Sequence, residues 1–517
     1  MTDALTLAID VGTGSIRAAL VDDLGIVVAI TARPHEQIVT AVGRSEQRAA
    51  DWWEGAVAAI REVIRDHPGA PARIRTVVAC GQMHGTVLVA ADGTLVCETV
   101  PLWNDKRAAS LVRAFDDAHP VEQYLPHSAN PASPAWPAFK LQWYRDHLPE
   151  ALARTYRVMM PKDYVNFRLT GEIAMDFTEA ACSFLIDPRT RDWSAVMLGL
   201  TGLPAAILPP IRQPLEVLGT VSAEAAALTG LWPGTPVLVG CGDFPAALLG
   251  SGAISPDVAS EVMGTSAIIT LIAPEPLLHP GICNVGTADG AWGAFMLLES
   301  GGDAMRWGQR VLGAGTETYA AFLAAAGSAP PGAKGAIFTP YLTGERLGAG
   351  TNARAQFFGL SAAHGPADLR RAILEGVAFG VNRHIRMLEA SSGARISHIV
   401  ASGGGTRASL WLRIKASVYD RPIRVPREAE SSIVGCGILG SLSRGAYPDV
   451  ATAVVACVDY AAEIAPVPEW QDIYGALQPI FDSVHAAAAP AWIRLDSLPR
   501  SAGSGTDPLE GGDSDVS

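Results

Sequence analysis

Positive charge is in short supply in this sequence. Lys and Arg number 39 against 52 Asp and Glu, for a formal net charge of −13, and no basic block occurs. A nucleic acid or an anionic membrane surface is therefore a poor partner. Long hydrophobic runs are missing too. Apolar types make up 49% of the residues and the mean hydropathy is +0.21. Yet Gly or Pro interrupts every apolar stretch before it reaches the roughly 18 residues a membrane helix needs. The opening MTDALTLAID has no basic segment ahead of an apolar one, so no secretory leader is expected. The seven cysteines (Cys80, Cys97, Cys182, Cys241, Cys283, Cys436, Cys457) contain no Cys-x-x-Cys pair. That argues against a disulfide frame or a zinc site and for reduced thiols in a cytoplasmic protein. No Gly-x-x-x-x-Gly-Lys-Ser/Thr string is present, which excludes a Walker-type loop.

What is there is length: 517 residues, enough for two domains or three. The first 35 residues alternate as strands do. LTLAID sets Leu5, Leu7 and Ile9 on one face, VGTGS turns the chain, and IRAALV returns it. Trp53, Val57, Ile60 and Ile64 then recur at helical spacing over 51–67. RTVVAC is a short apolar strand ending in GQMHG, and TPVLVGCGD repeats that theme ahead of a helix start behind Pro245. EVMGTSAIITLI repeats the opening strand, Gly-Thr turn and strand about 250 residues later, which points to a duplicated architecture. A helix over 368–388, a strand HIVAS, the run Gly403-Gly404-Gly405 and a helix from near Ser409 follow. From about Asp496 the tail is rich in Gly, Ser and Asp and is expected to be disordered.

The first turn can carry chemistry. Asp10 ends a buried strand, and Gly12, Thr13 and Gly14 offer successive backbone N–H groups to a phosphate. The hydroxyls of Thr13 and Ser15 and the fork of Arg17 add donors, and Asp10 beside a phosphate suits Mg²⁺. An ordinary hairpin explains the same residues. Gly264-Thr265-Ser266 offers a second phosphate turn, or a plain loop. Asp243 is either a helix N-cap or a general base at a cleft mouth. Met83 and His84 lie just past a strand end, and Trp103, Asp105 and Arg107 are a sugar-binding cluster or a solvated turn. Gly404 and Gly405 permit a flat ligand such as adenine or ribose, or merely loosen a loop.

The order of these pieces, from about Leu5 to Ala488, resembles the FGGY carbohydrate kinases. One signature reads Pro137-Ala138-Phe139-Lys140-Leu141-Gln142-Trp143 and keeps a Pro-x-x-Lys-apolar-x-Trp frame. The other runs from Ala355 to Glu375. It keeps Gly359-Leu360, a spacer, Asp368-Leu369 and Ala372-Ile373-Leu374-Glu375. Tyr341-Leu342-x-Gly344-Glu345-Arg346 and Trp103-x-Asp105-x-Arg107 are also similar to family segments. The resemblance implies a two-domain α/β fold of the actin/hexokinase (ribonuclease H-like) type, with a duplicated core of five-stranded mixed sheets. Domains over 1–248 and 249–490 would enclose a cleft between the sugar and ATP sides.

It also implies roles. Asp243 would be the catalytic base and Asp10 the Mg²⁺ residue. Gly12, Thr13, Gly14, Arg17, Gly264 and Thr265 would lie at the phosphates, with Gly404 and Gly405 at the adenosine. Met83, His84, Trp103 and Asp105 would meet the sugar. GQMHG is most similar to xylulokinases, which implies ATP-dependent conversion of D-xylulose to D-xylulose 5-phosphate. Three departures stand out. Phe244-Pro245 replace the usual Asn and small residue, Ser417 stands where the family often has Asp, and DVGTGSIR is less xylulokinase-like. Alternatives are another acceptor (ribulose, a deoxy sugar, erythritol or glycerol), an actin- or chaperone-like nucleotide switch, or a sugar sensor. The expected partners are a small sugar or polyol and ATP, with no nucleic acid and no membrane; a homodimer is left open.

Overall fold

The computed structural model describes residues 3–313, 317–345 and 352–498. Leu5–Val11, buried throughout, is the central strand β1 of the first half. The turn after it returns the chain antiparallel as β2, Ser15–Asp22, and then β3, Val27–Pro34. Helix α1, Ala49–Asp66, buries Trp52, Trp53, Ala56, Ile60 and Val63. The chain re-enters the sheet parallel to β1 as β4, Ile74–Gly81. A largely helical insertion follows, with α2 at Pro137–His147, α3 at Pro161–Thr170 and α4 at Phe177–Ala181. The sheet is then completed by β5, Val217–Thr220, β6, Pro236–Leu238, and β7, Cys241–Gly242. Helix α5, Asp243–Ser251, leaves it.

The second half repeats the plan. β8, Val258–Met263, pairs antiparallel with β9, Ala267–Ala273. Next come β10, Cys283–Gly286, and β11, Trp292–Leu298, then helices α6, Gly302–Leu312, and α7, Pro366–Ser392. β12, His398–Gly403, and β13, Ile423–Pro426, run parallel to β8, with α8, Ser409–Tyr419, between them. Helix α9, Ser431–Ser443, edge strand β14, Tyr460–Ile464, and α10, Pro468–Ser497, complete the chain. The duplication is real: both halves order their strands 3-2-1-4-5 with the same parallel and antiparallel pairings. Five strands per half is corrected to seven. The extra strands β5, β7, β10 and β14 have only two to five residues, too few for an alternation to stand out.

The two halves exchange helices. Leu248 of α5 packs with Val258, Ile272 and Val400 of the second sheet. Ile433, Cys436 and Leu439 of α9 pack under Ala8, Ala19 and Val78 of the first sheet. Where α5 and α9 meet there is no room for side chains. A Cβ on Gly250 would lie 1.9 Å from the Ser431 carbonyl, and one on Gly435 2.0 Å from that of Ala246. Farther off, Asn130 donates to the Asn284 carbonyl (3.0 Å) and the Asn284 N–H returns a bond to Asn130 Oδ1 (2.7 Å). The division expected at 248/249 thus falls inside α5, and the chain crosses between sheets over 252–257. The tail expected to be disordered begins with the end of α10; 499–517, like Arg346 of the Tyr341 segment, lie outside the described residues. Among the described residues no helix is long and apolar enough to cross a membrane.

Candidate active site between the two halves

A cavity of about 500 Å³ opens where the halves face each other. Its floor is set by backbone geometry. Gly240 has φ +73°, and a Cβ there would lie 2.0 Å from the Ala79 carbonyl. Only glycine lets the chain cross β4 so closely. That crossing pairs β7 with the end of β4 and starts α5 at Asp243. Asp243 occupies the first turn of the helix, after the cap residue Gly242, and its carboxylate accepts from the Phe244 N–H at 2.7 Å. It makes no N-cap bond, so the plain capping reading does not describe it.

Asp10 ends β1 on the same floor. Its Oδ2 accepts from Ser432 (3.0 Å) and lies 3.4 Å from Arg17, while Oδ1 is buried without a partner. Arg17 reaches on to Glu430 at 2.5 Å. Burial raises the pKa of Asp10 and outweighs Arg17 and Ser432, which lower it. Loss of water, and then the negative charge of Asp10, push Asp243 up to about 7 against the Phe244 N–H and Arg17. The site is therefore short of positive charge, and the orphaned Oδ1 of Asp10 suits a small hard cation shared with phosphate oxygens.

The first glycine turn is held rigidly. Its carbonyls at Gly12 and Thr13 meet His35, and Gln47 also reaches Thr13. Trp103 donates its indole N–H to the Thr13 hydroxyl at 3.1 Å. Gly264-Thr265-Ser266 rests on the start of α6, whose Gly302 and Asp303 N–H groups bond the carbonyls of Gly264 and Thr265.

His84 is clamped through the peptide units on both sides of its Cα. His84 has φ +68°, uncommon without a glycine. Its N–H points to Glu179 (3.4 Å), and its carbonyl accepts from the buried ammonium of Lys140 (2.7 Å). Burial lowers Lys140 to about 7 and raises Glu179, which lies beside the buried Lys162–Asp163–Asp176 group. The His84 ring meets Trp136 edge-on at 5.1 Å.

Asp10, Gly12, Thr13, Arg17, Met83, His84, Trp103 and Asp243 all line the cavity. Asp105 does not. It is buried, with its oxygens taken by Ser45 N–H and Arg107, so it braces the loop that presents Trp103. Gly14, Gly264, Thr265, Gly404 and Gly405 are not on the wall either; their neighbours Ser266, Ser402 and Gly403 are. Ser417 accepts from the Val467 N–H, a packing role that leads into α10. Phe244 lines the cavity instead of filling the core, and its ring meets Phe295 edge-on at 5.9 Å. Lys140, Glu179, Glu430, Ser432 and Phe295 were not anticipated at the site. The Pro-x-x-Lys-apolar-x-Trp frame around Lys140 was the one available signal.

The chain is similar to known carbohydrate kinases in sequence and in fold. The chain is 30% identical over 425 residues to the xylulose kinase of Escherichia coli (strain K12), covering 80% of this chain and 84% of that one. It is 29% identical over 496 residues to the autoinducer-2 kinase of Escherichia coli O9:H4 (strain HS), covering 90% and 91%. The solved structure of xylulose kinase from Rhodospirillum rubrum superposes with a TM-score of 0.90 at 28% identity, over 95% of this chain and all of that one. Residues 5–250 match the N-terminal domain, and residues 259–443 the C-terminal domain, of one family of carbohydrate kinases. The chain belongs to the FGGY family of carbohydrate kinases.

Proposed function

We propose that this kinase moves the γ-phosphate of ATP to a primary hydroxyl of a small ketose of the xylulose type. The observation that carries the reading is Asp243, a carboxyl tuned to about 7 at the floor of a cavity it shares with Met83, His84 and Asp10. A general base works best with a pKa near the working pH. Asp243 takes the proton of the attacking hydroxyl, and His84, fixed by its backbone clamp, orients the sugar. Thr13, Arg17 and the second turn receive the phosphates through N–H, hydroxyl and guanidinium donors. Mg²⁺, when bound, would sit at Asp10 and neutralise phosphate charge. None of the seven cysteines is in a disulfide, which fits a reducing cytoplasm.

The reading is tested by coupled ADP release with Mg-ATP. D-xylulose, L-xylulose, D- and L-ribulose, erythritol and glycerol are compared by kcat/KM. D-xylulose is expected to lead these fully hydroxylated acceptors. Absence of sugar-stimulated turnover across the panel would overturn the kinase reading, and a lead by ribulose or a polyol would overturn the xylulose one.

A further inference from the structure

Two kinds of residue line the cavity. Asp10, Thr13, Arg17, His84 and Asp243 are polar. Met83, Cys182, Phe244, Cys283, Val285 and Phe295 line it too, and these six share one apolar cluster, with Phe244 and Phe295 packed against its buried members. Phe244 follows the base directly on α5, from the first half, whereas Phe295 stands on β11 of the second. Their rings meet edge-on, and both are only half-buried, so the surface they keep is cavity wall.

A sugar whose reacting hydroxyl meets Asp243 comes within reach of this wall, because Phe244 follows Asp243 directly and both line the cavity. There a hydroxyl loses water and gains no partner, whereas a methyl or methylene loses nothing and buries apolar area. Had the wall offered an amide, discrimination would run the other way and be steeper, because a site built to bond a hydroxyl rejects the analogue that lacks it.

We propose that the preferred acceptor is a deoxy-ketose, with its methyl or methylene carbon on the Phe244–Phe295 wall and a terminal hydroxyl at Asp243. The inference rests on the ketose-kinase reading and narrows it. The transfer is otherwise unchanged: the acceptor oxygen bonds to the γ-phosphorus, the bond from that phosphorus to the β–γ bridging oxygen breaks, ADP leaves, and Asp243 holds the proton.

The test compares kcat/KM within sugar pairs that differ by one hydroxyl, D-xylulose with 1-deoxy-D-xylulose and L-fructose with L-rhamnulose, using wild type and Phe244→Asn. A hydrophobic pocket discriminates by about 10–100-fold, so the deoxy member is expected to lead by that factor in at least one pair. Phe244→Asn is expected to shrink the lead about tenfold or more. The wild-type ratios stand even if the variant folds poorly. Equal or better turnover of the hydroxylated member in both pairs overturns the inference and leaves the kinase reading in place. No ADP release with any of the four sugars overturns the inference together with the xylulose-type reading on which it rests, while turnover of a ribulose or polyol would still leave the protein a kinase.

Discussion

In the proposed mechanism Asp243 ties activity and stability to a single carboxyl. Asp243→Asn should lower kcat by roughly 10²–10⁴-fold with ATP binding retained, because a positioned base contributes about that much. Steady-state kinetics with nucleotide-binding calorimetry check it; more than about half of wild-type kcat would reduce Asp243 to a structural role. Since its pKa is raised to about 7, the proposed base would be protonated and idle below that pH. The acid limb of kcat/KM should therefore fall with one proton as the pH drops through about 7. Stability moves the other way. A raised carboxyl favours the fold while protonated and loses that contribution as pH rises through about 7. Asn cannot ionise, so the melting temperature of the variant should gain on wild type between about pH 5 and about pH 8. Asp10, Thr13, Arg17 and Asp243 could be read in advance because glycine turns at strand ends announce themselves locally. Glu430 and Ser432 could not, since they reach Arg17 and Asp10 across more than 400 residues of sequence.

Among the elements, α2 and α4 converge on the two peptide units that flank His84 in the loop after β4. Lys140→Met would leave the carbonyl of His84 without its donor and let the ring drift from its place. A bond to a charged donor lost in a buried site is worth about 10–100-fold. The KM for sugar is expected to rise by about that factor, with the KM for ATP little changed and kcat falling less. Equal loss in both KM values would point to general loosening of the fold instead. The first signature was legible as a pattern, but its reason, a lysine serving a distant backbone carbonyl, needs the fold. The second signature is a packing device. Asp368 caps its own helix by accepting from the Gly365 N–H. Arg371 and Glu375 tie α7 to Tyr474 of α10. The repeated β-turn-β unit was visible because long buried strands alternate clearly, whereas the short edge strands carry too few residues to do so.

For the whole molecule, the cleft should close on its ligands, since water in an open site competes for the phosphoryl group. Small-angle scattering with sugar and a non-hydrolysable ATP analogue should give a smaller radius of gyration than the ligand-free protein. An identical profile at saturation would count against closure.

The traded helices carry a consequence for how the chain can be divided. α9 packs against Ala8, Ala19 and Val78 on one face of the first sheet, in a cluster it shares with Ala246 and Leu249 of α5, and it arrives from the far end of the sequence. A fragment ending at residue 252 would leave that face wet. It should aggregate alone and become soluble only when co-expressed with 253–498, as sedimentation of the separate and paired fragments would show. The halves look like two modules in sequence, but each is finished only by the other, so inheritance, truncation and recombination must treat them as one indivisible unit.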